Sequence, residues 1–235
     1  MRIALDTSTD RLSVAVGEGA AEAAVAHVDG ARRHAASILP TLERLLAERR
    51  ARLADVTDVV VADGPGSFTG LRVGAAVAKG LATTRDIRLW TAPALLARAA
   101  FGAHDGEVAV SVLDALRAEL YSAAYLVEAG GITCVLPPAA RTPEALVQAI
   151  APPALLVGEV LPALAGRFDG WAARTSLGAR ADARALLALM GRPGGAVRID
   201  DPAGWEPTYG RPAEAQARWE AQHGRPLHHP PGTGG

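Results

Sequence analysis

Apolar residues follow two rhythms along this chain of 235 residues. Short runs, alternating or wholly apolar, predict strands at 3–5, 12–16, 22–28, 56–62 and 87–90. Ile38, Leu39, Leu42, Leu45 and Leu46 recur at helical spacing and predict a long amphipathic helix over 32–48. Further helices are predicted over 69–84 and 94–101. The pattern then repeats. Strands are predicted at 108–113, 120–127 and 132–136. A helix follows over 143–150, with Thr142 as its cap and Pro143 at its first position. A strand at 154–157 closes on Gly158, and a helix over 181–190 follows. The order strand, strand, strand, helix, strand, helix thus occurs twice. It predicts an α/β protein of two mixed lobes of similar plan, residues 1–103 and 104–225. A short helix is expected over 214–223, and the stretch 226–235, with three prolines and three glycines, reads as a disordered tail.

Composition narrows the function classes. At 49% hydrophobic and 21% charged, the chain can bury one large core or two small ones. Its net charge of −1 supplies no overall basic field, so an RNA contact needs a local patch or a partner. The single cysteine, Cys134, excludes an internal disulfide and suits a reducing cytoplasm. The first residues reach a carboxylate at Asp6, too early for a secretory apolar region. No apolar run approaches the roughly 18 residues of a membrane helix.

The densest candidate chemistry is the run from Asp63 through Gly64, Gly66 and Ser67 to Gly70 and Gly74, between an apolar strand and a helix. A strand turning through glycines into a helix leaves unpaired N–H groups, which either hold an anion or belong to a tight turn capped by Ser67 or Thr69. The spacing matches neither a dinucleotide fingerprint nor a phosphate loop followed by lysine. Gly70, Gly74 and Ala78 repeat every four residues inside the helix, where glycine costs about 1 kcal/mol relative to alanine. Two readings account for them: close packing within the chain, or a helical contact with another chain. Asp6, Thr7 and Ser8 end the first strand, where a carboxylate orients a metal or water in nucleotide-binding sheets, or simply closes an Asx turn. Asp114 ends the equivalent strand of the second lobe. Arg32, Arg33 and His34 place cations at a helix N-terminus, either as a solvated end or facing an acidic partner group. None of the six histidines pairs with another at helical zinc-binding spacing, and no serine-nucleophile elbow occurs.

These residues together are recognisable. Residues 3–9, the pair Arg33 and His34 leading to Leu39 and Pro40, and above all the runs 64–74 and 78–82 resemble the bacterial TsaB (YeaZ) family. A looser likeness runs through Leu113, Asp114, Ala115, Glu119, Leu120 and Tyr121, and through Glu206 to Arg211. The resemblance implies two ribonuclease-H-like lobes of the actin, hexokinase and heat-shock chaperone ATPase superfamily. It also implies a non-catalytic scaffold in synthesis of N6-threonylcarbamoyladenosine beside the tRNA anticodon. The partner so implied is TsaD, a catalytic paralogue with an H-x-x-x-H metal pair; this chain carries no histidine in the matching stretch 90–98. A TsaE-type ATPase and, indirectly, tRNA complete the set, with a homodimer as the arrangement when the partner is absent. On that basis Arg33, His34, Leu39, Leu42, Gly70, Gly74, Val77, Ala78 and Leu81 are the expected partner interface. ATP and metal belong to the partner complex. Weak ATP or ADP binding at Asp6, Thr7, Ser8, Gly64, Gly66 and Ser67, as in an autonomous ATPase or small-molecule kinase, is the alternative.

Overall fold

The computed structural model describes residues 1–30 and 33–210, so Arg32, the expected helix 214–223 and the tail 226–235 lie outside the described residues. The chain opens with a meander, β1 (Arg2–Asp6), β2 (Arg11–Gly17) and β3 (Ala24–Asp29). Next come α1 (His34–Glu48), β4 (Asp58–Ala62), α2 (Phe68–Arg85), β5 (Arg88–Ala92) and α3 (Ala94–Gly102). A second meander follows, β6 (Glu107–Asp114), β7 (Leu120–Glu128) and β8 (Gly131–Arg141), then α4 (Pro143–Ala149) and β9 (Leu155–Glu159). The one-turn α5 (Pro162–Ala165), β10 (Arg174–Leu177), α6 (Arg184–Leu189) and β11 (Val197–Ile199) complete it.

Two mixed sheets result, ordered β11-β5-β4-β1-β2-β3 and β10-β9-β6-β7-β8. β1 pairs antiparallel with β2 and parallel with β4; in the second sheet β6 does the same with β7 and β9. The α/β class and the duplicated plan expected from sequence are what the chain adopts.

Period-two alternation decides what each sheet face buries. Ile3, Leu5, Val14, Val59 and Val61 point to the outer layer and pack on Ile38, Leu42 and Leu45 of α1 and Ala78 and Leu81 of α2. Ala4, Ala15, Val60 and Ala92 point the other way, into a layer shared with α3, α6 and the inner face of the second sheet. Small residues dominate this central layer, letting two sheets and two helices approach closely. Val110, Val112, Leu120 and Leu156 line the far face of the second sheet against Leu146 and Phe168.

Three departures from the sequence reading have physical causes. β8 runs from Gly131 to Arg141 rather than stopping at Leu136; it is an edge strand, so Pro137 and Pro138 remove no ladder hydrogen bond. β10 was not foreseen, because its residues are mostly exposed and carry no apolar alternation. Val197–Ile199, expected in the second lobe, pairs antiparallel with β5 and extends the first sheet. The boundary at 103 and 104 therefore marks a change of sheet and not a last crossing, since the chain returns to its first sheet.

Candidate functional site

The glycine turn after β4 is shaped by what lies against it. Gly64 has φ 108°, and a Cβ there would come within 2.0 Å of the Thr208 carbonyl oxygen. A Cβ on Gly66 would meet the Ser8 carbonyl oxygen at 2.2 Å, one on Gly70 the Thr7 carbonyl oxygen at 2.2 Å, and one on Gly74 Thr7 Oγ1 at 2.4 Å. The turn and the first two turns of α2 therefore lie directly on the 6–8 segment. Ser67 N donates to the Ser8 carbonyl at 2.7 Å, and Ser67 Oγ accepts from Gly70 N at 3.2 Å as the helix cap. The tight-turn reading accounts for all four glycines.

Asp6, Thr7 and Ser8 come together as expected and are all buried. Asp6 Oδ1 accepts from Ser8 N at 2.9 Å and Ser8 Oγ at 2.6 Å. Opposite them stands Arg98, from the second turn of α3. Its Nη1 is 3.4 Å from Asp6 Oδ2 and donates to the Ala94 carbonyl at 2.9 Å; its Nη2 donates to Ser8 Oγ at 3.2 Å. The same guanidinium reaches Glu159 of the second lobe at 3.5 Å. Beside it, Arg180 bridges Asp10, Asp29 and Glu159. Ser13 Oγ accepts from Ala183 N at 2.8 Å. The strand-end carboxylate thus faces an internal cation, and the two lobes are clasped through it. Arg98, Glu159 and Arg180 carried no signal in the sequence, because their partners lie as many as 170 residues away.

The expected partner interface divides. Leu39 is 56% exposed, Arg33 is exposed and Val77 half-buried. Leu42, Gly70, Gly74, Ala78 and Leu81 are buried within the chain, which corrects their assignment as contact residues. Gly70 and Gly74 face the Thr7 loop and are small because backbone and helix meet there, while Ala78 packs in the core. His34 is buried too; its Nε2 donates to the Asp10 carbonyl at 3.1 Å, tying the start of α1 to the β1–β2 turn instead of facing outward. What α1 and α2 present outward includes Ala35, Ala36, Leu39 and Pro40 with Glu43 and Arg44 on one helix, and Arg72, Ala76 and Gly80 on the other, with half-buried Val73 and Val77 beside them.

Asp114 does not join Asp6: its carboxylate accepts from Leu116 N at 2.9 Å within its own turn. Leu116, Arg117 and Ala118 there are all left-handed, with φ of 64°, 54° and 61°. Among the described residues Asp63, at the head of the glycine turn, is the one carboxylate pushed far upward, to about 6, by desolvation. Among the described residues, no group of three or more histidine, cysteine, aspartate or glutamate side chains could hold a metal ion, and no helix is long and apolar enough to cross a membrane.

A family model described as TsaD, tRNA N6-adenosine threonylcarbamoyltransferase, matches residues 27–163. The tRNA threonylcarbamoyladenosine biosynthesis protein TsaB of Haemophilus influenzae is 39% identical over 126 residues, 51% of each chain. Its namesake in Escherichia coli is 33% identical over 137 residues, 56% of this chain and 58% of the relative. The chain thus spans between half and three-fifths of the length of these curated relatives. Two solved structures cover more. YeaZ from Pseudomonas aeruginosa superposes with a TM-score of 0.67 at 28% identity, over 81% of this chain and 90% of that one. A protein described as similar to peptidase YeaZ from Pseudomonas aeruginosa gives 0.72 at 26%, over 89% and 99%.

Proposed function

The chain belongs to the TsaD family of tRNA N6-adenosine threonylcarbamoyltransferases, and on that premise we propose that it is a non-catalytic subunit. It pairs with a catalytic paralogue so that a threonylcarbamoyl group passes to the adenosine next to a tRNA anticodon. The observation that carries this reading is the outward face of α1 and α2. Leu39 stands 56% exposed among Ala35, Ala36 and Pro40 on α1, and Ala76 and Gly80 are exposed on α2. Side chains this small let a helix pair from another subunit lie close, and an exposed leucine gives the contact an apolar centre. The names of the relatives in threonylcarbamoyladenosine biosynthesis support the same process.

The residues of the first strand end and of α3 support the same reading. The stretch 90–98 carries no histidine, and Asp6 is held by Ser8 and Arg98. Nucleotide, metal and tRNA handling fall to the partners, a TsaD-type transferase and a TsaE-type ATPase, with a homodimer forming when they are absent. The test is reconstitution with those components. Leu39→Asp combined with Ala76→Arg abolishes the heterodimer by mass measurement, and tRNA modification with it, while the thermal midpoint of the lone protein stays put. A heterodimer of unchanged mass, or modification at full rate without this chain, refutes the reading.

A further inference from the structure

The outward-facing residues of α1 sit on the stretch of that helix with the least support of its own. Ala35, Ala36 and Leu39 fall between the helix start and Pro40. The first N–H groups of a helix lack partners inside it; a side-chain acceptor at the cap or a carboxylate in the first turn ordinarily offsets this. α1 has neither. Its cap is Arg33, no side chain bonds there, and its first turn holds no acidic residue. One turn on, Pro40 has no N–H to give the Ala36 carbonyl, which removes a rung of the helix. Residues 34–39 therefore form a helical turn that the local sequence holds weakly.

What holds this turn comes from outside the helix. Its buried side chains are His34 and Ile38, one turn apart on the inner face. Ile38 rests in the apolar layer over the first sheet. His34 is 1% exposed, and its Nε2 lies 3.1 Å from the Asp10 carbonyl oxygen. A carbonyl only accepts, so the proton is on Nε2. Among the described residues Nδ1 has no partner, which leaves the ring tethered at that one point. The same carbonyl accepts from Gly30 N at 3.0 Å, and the Gly30 carbonyl accepts from Arg33 N at 3.0 Å. Arg180, between β10 and α6, holds the carboxylates of Asp10 at 2.6 Å and Asp29 at 2.8 Å and reaches Glu159 of β9 at 3.6 Å. The start of α1 is thus anchored to a junction that the second lobe closes.

We propose that His34 is a positioning residue for the partner-binding face. It touches no partner itself. It acts through the first turn of α1, keeping Ala35, Ala36 and Leu39 in helical register ahead of Pro40, and Arg180 steadies the Asp10 turn on which it hangs. The proposal rests on the subunit-pairing reading, because it concerns the same face.

Three variants of the full chain test it, each by amide hydrogen exchange on the lone protein and by titration against the catalytic paralogue. His34→Phe keeps a flat ring and loses the donor. Exchange at 35–39 is expected to quicken about fivefold and the heterodimer to weaken about fivefold, the effect of one lost hydrogen bond, with exchange at 41–48 unchanged. His34→Gln carries an N–H to the same reach and is expected to restore both. Arg180→Gln removes no buried group and carries the test should the phenylalanine variant not fold. It is expected to change both readouts about twofold, and the wild type to approach it in about 1 M salt, where the screening length is ~3 Å. Unchanged exchange at 35–39 in His34→Phe overturns the tether. Faster exchange with full affinity overturns its bearing on docking, and no recovery in His34→Gln overturns the hydrogen bond as the cause. Arg180→Gln unchanged in both readouts overturns the part given to the second lobe. Absence of a wild-type heterodimer refutes subunit pairing instead, and the exchange data still decide the tether.

Discussion

The two faces of α2 are built from the same kind of residue and do opposite things. On the inner face, Gly70 and Gly74 are small because the Thr7 backbone and side chain stand where a larger residue would go, and Ala78 packs into the core beyond them. On the outer face, Ala76 is exposed and Gly80 has no atom within 4 Å of a Cβ position. Smallness on one side is forced by the chain itself. On the other it is unforced, and the monomer gives no reason for it. A sequence spacing of four cannot tell these apart, because both faces of a helix carry the same period. Only the identity of the neighbour does.

The contrast can be pushed hardest at Gly70. Gly70→Leu drives a side chain into the Thr7 carbonyl and is expected to cost about 4 kcal/mol or more, seen as loss of a cooperative urea transition. Next is the floor on which the inner face rests. Arg98→Ala leaves Asp6 and Glu159 without their shared cation and is expected to cost about 3–5 kcal/mol by denaturant unfolding. If it costs less than a surface substitution, the inner face does not depend on the clasp.

The turn leading into α2 gives an effect of opposite sign. The Asp63 carboxyl releases its proton near pH 3.8 in the unfolded chain but near 6 in the folded one. The folded state therefore holds the extra proton between those values, and stability falls as pH rises from about 4 to 6, then levels off. Asp63→Asn is expected to lack this slope and to gain up to about 3 kcal/mol at pH 7, measured by urea unfolding across pH. Smallest are the outer-face changes. Gly80→Ala gains about 1 kcal/mol from helix propensity, and Ala76→Arg stays within about 0.5 kcal/mol by thermal unfolding. A large loss in either shows that the outer face is covered within the chain.

Much of the fold was legible because its signals are local. The unbroken apolar run of Ile3, Ala4 and Leu5 foretold a buried strand, and Ile38, Leu42 and Leu45 foretold the helix over it. β10 and β11 were not legible, since short edge strands with exposed side chains carry no periodic mark. Within the candidate site, Asp6 to Ser8 and the glycine turn were visible as motifs, and their contact with each other was not. Leu39 is exposed, whereas Leu42, one turn on, is core, because the apolar stripe of α1 is wider than its buried part. Arg98 was invisible. An arginine in an alanine-rich helix gives no hint that its charge is spent on a carboxylate 92 positions earlier.

The pairing of residues 197–199 with β5 has a consequence for synthesis. A ribosome making this protein releases five strands of the first sheet early, yet the sixth is translated about a hundred codons later. Until then the β5 edge is an open template, and nascent chains on one messenger are at their stickiest.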